Sequence, residues 1–186
     1  MRPVKVRVFG ELAVEVDGAS ADLGGPKPRA LLALLVAAEG RPVSVSHLVD
    51  QIWGEQPPAR VEASLQSYVA RLRRELEPAR RARATDDRLR THPGGYSLAL
   101  AAEHVDARRF TELIRRARSD VAAGPARAEA SLEEALALWR GDPYAGLTET
   151  STSLAAEALR LTELRLTALE DLWEVRTARD DRTAAA

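Results

Sequence analysis

Residues Ser64–Leu76 read SLQSYVARLRREL. Apolar residues return every three or four positions, at Leu65, Val69, Leu72 and Leu76, which is the period of an α-helix with one buried face. At about 100° per residue, Val61, Leu65, Val69, Leu72 and Leu76 fall within about 40° of one line, with Tyr68 just beside it. The opposite side carries Arg60, Ala63, Ser67, Ala70, Arg71 and Arg74, with Gln66 and Arg73 on one flank and Ser64 on the other. Small residues let a helix backbone approach a partner, and arginines at the edges reach phosphates or lie against guanine edges. A solvated face whose arginines reflect a GC-rich genome has the same composition, so the neighbouring segments must decide.

Upstream of this stretch, Val4, Val6 and Val8 alternate with Lys5, Arg7 and Phe9, and Leu12, Val14 and Val16 repeat the pattern. A period of two predicts half-buried strands with a turn at Asp17-Gly18, and a third short strand is expected near Asp22 and Leu23. A helix is predicted from Pro28, with a stripe at Leu31, Leu32, Leu35 and Val36 and a stop at Gly40. A second helix is capped by Ser44 or Ser46, turns Val45, Leu48, Val49 and Ile52 inward, and ends at WGEQPP. The third runs from near Pro58 to about Glu77. Downstream, PARRARATDDRLRTHPGGYSLAL lacks a helical stripe. Its latter part predicts a hairpin, with strands around Arg88–Thr91 and Tyr96–Leu100 and a Pro-Gly-Gly turn. The hairpin brings Arg88, Arg90 and His92 to the side of the third helix, with Thr91 between them. A small sheet, three helices and a hairpin make a winged helix-turn-helix with an added N-terminal antiparallel sheet. This context favours nucleic-acid binding by the third helix over a merely solvated face.

From Val105 the pattern is helical only. DARRFTELIRRARSDVAAG and PARAEASLEEALALWRG predict two amphipathic helices split at Gly124-Pro125, and a longer one spans about Ser153 to Arg179. The first pair has the character of a tetratricopeptide unit. The fold class is therefore α+β at the N-terminus followed by an all-α, tetratricopeptide-like part, divided as residues 1–100 and 105–186.

Composition narrows the functional classes. The chain has 186 residues, a formal net charge of −1 and no cysteine, so disulfides, thiolate nucleophiles and the common zinc sets are excluded. Residues 1–100 carry 15 basic against 12 acidic groups and residues 101–186 carry 12 against 16. Arg60 to His92 alone holds nine arginines and five acids. No run of eighteen apolar residues and no signal-peptide block is present, which predicts a cytoplasmic protein without membrane attachment. His47, His92 and His104 are scattered over a helix, a wing and a linker, giving neither metal spacing nor a nucleophile dyad. No catalytic residue, metal or cofactor is expected. The competing readings are a helical-repeat interaction module, for which Glu133, Glu134 and a groove beside Trp139 and Tyr144 would offer a partner surface although a repeat core explains them as well, and a response-regulator-like output protein.

The phrases LGGPKPRALLALLV, LVDQIWGEQPP, LQSYVARLRREL, PGGYSL, VDARRFTELI, EALALWRGDPYAGL and RLTELRLTALEDLWE, in that order, cover nearly the whole chain. By them it resembles the Streptomyces antibiotic regulatory protein family, which joins an OmpR-type winged-helix DNA-binding domain to a bacterial transcriptional activation domain. The resemblance implies activation of secondary-metabolite gene clusters through direct repeats near the promoter −35 region and recruitment of RNA polymerase. It implies DNA contacts from Arg71 and Arg73, from Arg90 before the wing's Gly-Tyr, and from Lys27 and Arg29 at the first helix's N-terminus. Arg60, Gln66, Ser67, Arg74, Arg88, Thr91 and His92 complete the expected DNA-facing set. Trp53, Gly54, Glu55 and Gln56 resemble the loop that meets the polymerase sigma factor, with the alpha subunit a second implied partner; Trp53 suits a core position equally well. Tandem copies on one duplex are expected, aided by the stripe Leu161, Leu164, Leu166, Leu169 and Leu172. The helical part is expected to be partial, since activation domains of the family continue for several further helices. No Walker A glycine loop occurs in these 186 residues, so they are not expected to include the ATPase domain of larger relatives.

Overall fold

The computed structural model describes residues 3–77, 88–121 and 124–184, with side chains to residue 178. The arginine-rich run 78–87 lies outside the described residues. Strands β1 (Val4–Arg7), β2 (Ala13–Val16) and β3 (Ala19–Ser20) form an antiparallel sheet in that order. Val4 pairs with Val16 and Val6 with Val14, so the valines share the buried face. Asp17 and Gly18 both take positive φ, 54° and 80°, as a two-residue hairpin turn requires. The third strand lies at Ala19–Ser20, earlier than the expected Asp22–Leu23, because this tight turn pairs Val16 directly with Ala19.

Helices α1 (Pro26–Ala37), α2 (Val45–Trp53) and α3 (Val61–Leu76) follow. Helix α1 starts two residues before Pro28, with Pro26 at its first turn. Ser44 caps α2, its hydroxyl accepting the His47 N–H at 3.2 Å. Helix α3 starts three residues after Pro58, and the Ser64 N–H donates to the Arg60 carbonyl at 3.1 Å. Its inward residues Leu65, Val69, Leu72 and Leu76 are all buried, as the period predicts. Strands β5 (Leu89–His92) and β6 (Gly95–Leu98) make the wing, and β4 (Val43–Ser44), which has no sequence signal, pairs with β6 at Tyr96 and Gly95. Gly95 is dictated by this pairing: a Cβ there would lie 2.3 Å from the Val43 carbonyl oxygen.

After a 3-10 turn at Ala102–His104 come α4 (Asp106–Asp120), α5 (Pro125–Ala137) and the 33-residue α6 (Thr152–Ala184). Phe110, Leu113 and Ile114 of α4, Leu132 of α5 and Leu154, Leu161 and Leu172 of α6 are buried, α4, α5 and α6 packing on one another and α6 also meeting α1. The expected apolar stripe of α6 is split. Leu161 and Leu172 are buried, whereas Leu166 is 58% and Leu169 45% exposed on the opposite face beside Leu159 and Trp173.

The two halves share one core. Phe9, assigned by parity to the outward side of its strand, is 2% exposed, because the helical half covers that side. Its ring stacks on Trp139 at 4.4 Å and meets Phe110 edge-on at 5.3 Å. The chain crosses here by backbone hydrogen bonds as well: Tyr144 N–H donates to the Val8 carbonyl at 2.8 Å and Gly10 N–H to the Asp142 carbonyl at 3.1 Å. Buried Asp106 accepts the N–H groups of Val8 (2.9 Å), Phe9 (3.4 Å) and Ala107 (2.9 Å), with Arg140 at 3.4 Å. Burial pushes its carboxyl above the usual carboxylate range against the opposing pull of those donors. At the other end, the Gln51 Oε1 of α2 accepts from Ser151 Oγ (2.8 Å) and the Ser153 N–H (2.9 Å) where α6 begins. Of the two readings of Trp139 and Tyr144, a partner groove or the core of the helical part, the packing is that of the core. Trp139 packs on Phe9, Tyr144 is 1% exposed, and Glu133 and Glu134 pair with Arg176 and Arg109.

Candidate nucleic-acid interface

The outward face of α3 is formed by Arg60, Ala63, Gln66, Ser67, Ala70 and Arg74, all exposed. It faces the N-terminus of α1 across an open groove of about 530 Å³ lined by Gly25, Pro26, Lys27, Pro28, Ser67, Tyr68, Arg71 and Arg74. Of the first three positions of α1 only Lys27 carries an N–H, since Pro26 and Pro28 have none. Lys27 therefore brings both its main-chain donor and its ammonium to the positive end of the helix dipole. Its Nζ stands 5.3 Å from the centre of the Trp53 ring, which stacks on Tyr68 at 5.9 Å with an interplanar angle of 9°. This packing chain seats α1, α2 and α3 relative to one another.

The arginines divide into those that face outward and those that build the surface. Arg71 is half-buried and pairs with Asp22 at 2.6 Å. Arg73 donates from Nε to the Leu89 carbonyl at 3.1 Å and from Nη2 to Thr91 Oγ1 at 2.6 Å, bracing the wing on α3. Arg29 donates to the Leu12 carbonyl at 2.7 Å, tying α1 to the loop after β1. Arg90 and Thr91 are exposed on the wing, and His92 Nε2 lies 2.8 Å from Ser97 Oγ within the hairpin.

Arg88 departs from expectation. It is 3% exposed, and its Nη1 donates to the Leu76 carbonyl at 2.8 Å while its own N–H donates to Glu77 Oε1 at 2.6 Å. It stands just before β5, outside the strand's alternation, and satisfies a carbonyl that the C-terminal end of α3 leaves without a helical partner instead of facing a ligand. Trp53 likewise belongs to the core at 9% exposure, while Gly54, Glu55 and Gln56 are exposed in the loop between α2 and α3. The link from Asp22 to Arg71 carries no periodicity and was not visible in the sequence. Among the described residues no cluster of three or more His, Asp or Glu could hold a metal ion, and no helix is long and apolar enough to cross a membrane.

Residues 22–98 match the family described as transcriptional regulatory protein, C terminal, and residues 105–186 match the bacterial transcriptional activator domain. The chain belongs to the Streptomyces antibiotic regulatory protein family. Among relatives of this family, the transcriptional regulator RedD of Streptomyces coelicolor is 36% identical over 91% of the chain and 48% of its own length. The regulatory protein DnrI of Streptomyces peucetius is 33% identical over 92% of the chain and 64% of its own length. The structure of Mycobacterium tuberculosis EmbR in complex with a low affinity phosphopeptide superposes with a TM-score of 0.88 at 30% identity, covering 99% of the chain and 48% of EmbR. The fold is thus that of a winged helix followed by a helical activator domain, and the chain spans about half the length of RedD and EmbR.

Proposed function

We propose that this chain is a sequence-specific DNA-binding activator of transcription. Residues 1–100 bind direct repeats beside a promoter, the helical residues 105–186 act as the activation part, and the exposed loop Gly54–Gln56 meets the sigma factor of RNA polymerase. A cytoplasmic place, tandem copies on the duplex and the control of a secondary-metabolite gene cluster belong to the same reading. The observation that carries it is the groove between Lys27 and the exposed face of α3, where the N-terminus of one helix and the arginine-edged face of another converge. Within it Arg71, Ser67 and Arg74, and beside it the exposed Gln66, are suited to base edges and nearby phosphates, and Lys27 to the backbone alone. Arg73 and Arg29 act from bonded positions that shape the surface, Arg60 extends the face at the start of α3, and Arg90 and Thr91 carry the wing's side of it.

The test compares Arg71→Ala with Lys27→Ala on a promoter fragment and on random duplex, as a function of salt. Arg71→Ala is expected to lose about 1–3 kcal/mol on the preferred sequence and to relax discrimination. Lys27→Ala is expected to weaken all sequences alike and to reduce the salt slope by about 1. Equal losses of both variants on both duplexes, or binding without any salt dependence, would contradict the assignment. Inserting half a helical turn between the repeats should abolish binding and run-off transcription together, and unchanged transcription would dismiss tandem activation.

A further inference from the structure

Arg71 is already oriented before any ligand arrives. Its Nη2 donates to Asp22 Oδ2 at 2.6 Å and lies 3.4 Å from the Asp22 carbonyl oxygen. The other carboxylate oxygen, Oδ1, accepts the Gly24 N–H at 2.9 Å, so one side chain grips both the loop before α1 and the arginine of α3. Gly24 completes the seat. It holds φ at +81°, and a Cβ on it would lie 2.8 Å from Arg71 Nε and 2.9 Å from Cζ. The guanidinium therefore rests where only glycine leaves room. Its Nε is sheltered from solvent and meets no acceptor among the described residues.

Asp22 is out of place if the groove serves only to attract phosphates. Its side chain is 78% exposed, at the rim of a surface whose charged lining is Lys27, Arg71 and Arg74. The Gly24 N–H and then the Arg71 guanidinium hold its carboxyl below the usual carboxylate range, so it stays charged near neutral pH. A negative charge there weakens general attraction to a polyanion. It also denies Arg71 the freedom to swing to the nearest phosphate, leaving its remaining donors in one orientation.

We propose that Asp22 is a positioning residue for DNA reading, which fixes Arg71 against Gly24 so that discrimination among sequences rises while affinity for arbitrary DNA falls. The inference rests on the DNA-reading role of α3. A held side chain gives up less rotamer freedom when it meets a matched pair of acceptors, and it cannot adapt to a mismatched one.

The whole chain and its Asp22→Asn variant are titrated against two duplexes. One is enriched from a random-sequence library by the wild-type chain, and the other is a shuffled sequence of the same composition. An exposed pair of this kind contributes little to stability, so the variant is expected to melt with the wild type. Affinity for the shuffled duplex should rise, and the enriched-to-shuffled ratio should fall about two- to tenfold, the scale of one immobilised side chain. Asp22→Glu should restore part of the ratio. In an Arg71→Ala background, Asp22→Asn should leave the ratio unchanged. Equal gains on both duplexes would overturn the proposal, since Asp22 would then only repel phosphate. So would a fall in ratio that persists without Arg71. Identical ratios for wild type and Arg71→Ala would remove the reading of α3 itself, a failure distinguishable from the other two.

Discussion

Truncating Phe9 to alanine tests whether the two halves unfold as one body. The ring is 2% exposed and sits between Trp139 and Phe110, residues from the far side of the junction. Neither neighbour is free to fill the space. Phe110 is fully buried in α4, and Trp139 is held from its other side by Arg165, whose guanidinium carbon lies 4.9 Å from the ring centre. A site that cannot collapse belongs in the usual Phe→Ala range of about 3–5 kcal/mol. At about 2–4 °C per kcal/mol for a chain of this size, the melting temperature should drop by about 6–20 °C. Calorimetry and near-ultraviolet circular dichroism should record a single transition in wild type and variant alike, displaced as a whole. Leu159→Ala, at a position 60% exposed, is the control and should move the midpoint by about 2 °C or less. A drop below about 3 °C on this scale, or loss of one of two separate transitions while the other stays, would refute a shared core.

Two further changes test other links. Gly95→Ala places a methyl 2.3 Å from the Val43 carbonyl oxygen; destabilisation of about 1–3 kcal/mol and faster amide exchange in β4 and β6 are expected, and an unchanged melting curve would show that the strand contact is misjudged. Asp106→Asn tests a carboxyl raised by burial. Because the native state holds that proton more readily than the unfolded chain does, its contribution improves below neutrality and is lost as pH rises through the folded value. Wild type should therefore gain on the variant in urea midpoint as pH falls from about 7 to about 4, and a gap that is constant or that widens with rising pH would contradict this.

Periodicity made α3, β1 and β2 legible in the sequence, because each has one face in a core and the other in water, whereas the wing was legible from its turn, since β6 is buried along its whole length. Periodicity failed where burial comes from a second direction. Phe9 has the parity of an outward residue and is buried by the helical half, and two-residue β4 is too short to show any period. Of the candidate site, the face of α3 was legible in the periodicity, and Lys27 entered through the resemblance alone. The inward turn of Arg88 and the bracing role of Arg73 were not legible, since arginine composition says where positive charge lies along the chain and not which carbonyl it meets. The leucines of α6 make two faces and not one stripe: Leu172 lies within about 20° of Leu161 around the helix, whereas Leu169 and Leu166 lie about 80° and about 140° away.

Gln51 limits how freely regulators of this build can be recombined. Its amide sits in α2, immediately before the loop Gly54–Gln56, yet its acceptor oxygen is satisfied by Ser151 and Ser153, a hundred residues further along. A chimera spliced in the linker near residue 101, where the chain divides most naturally by sequence, would graft an N-terminal half whose Gln51, Val8 and Phe9 meet foreign partners. Functional exchange should need the Gln51–Ser151 and Phe9–Trp139 contacts to travel together, so the heritable unit is the pair of halves and not either one.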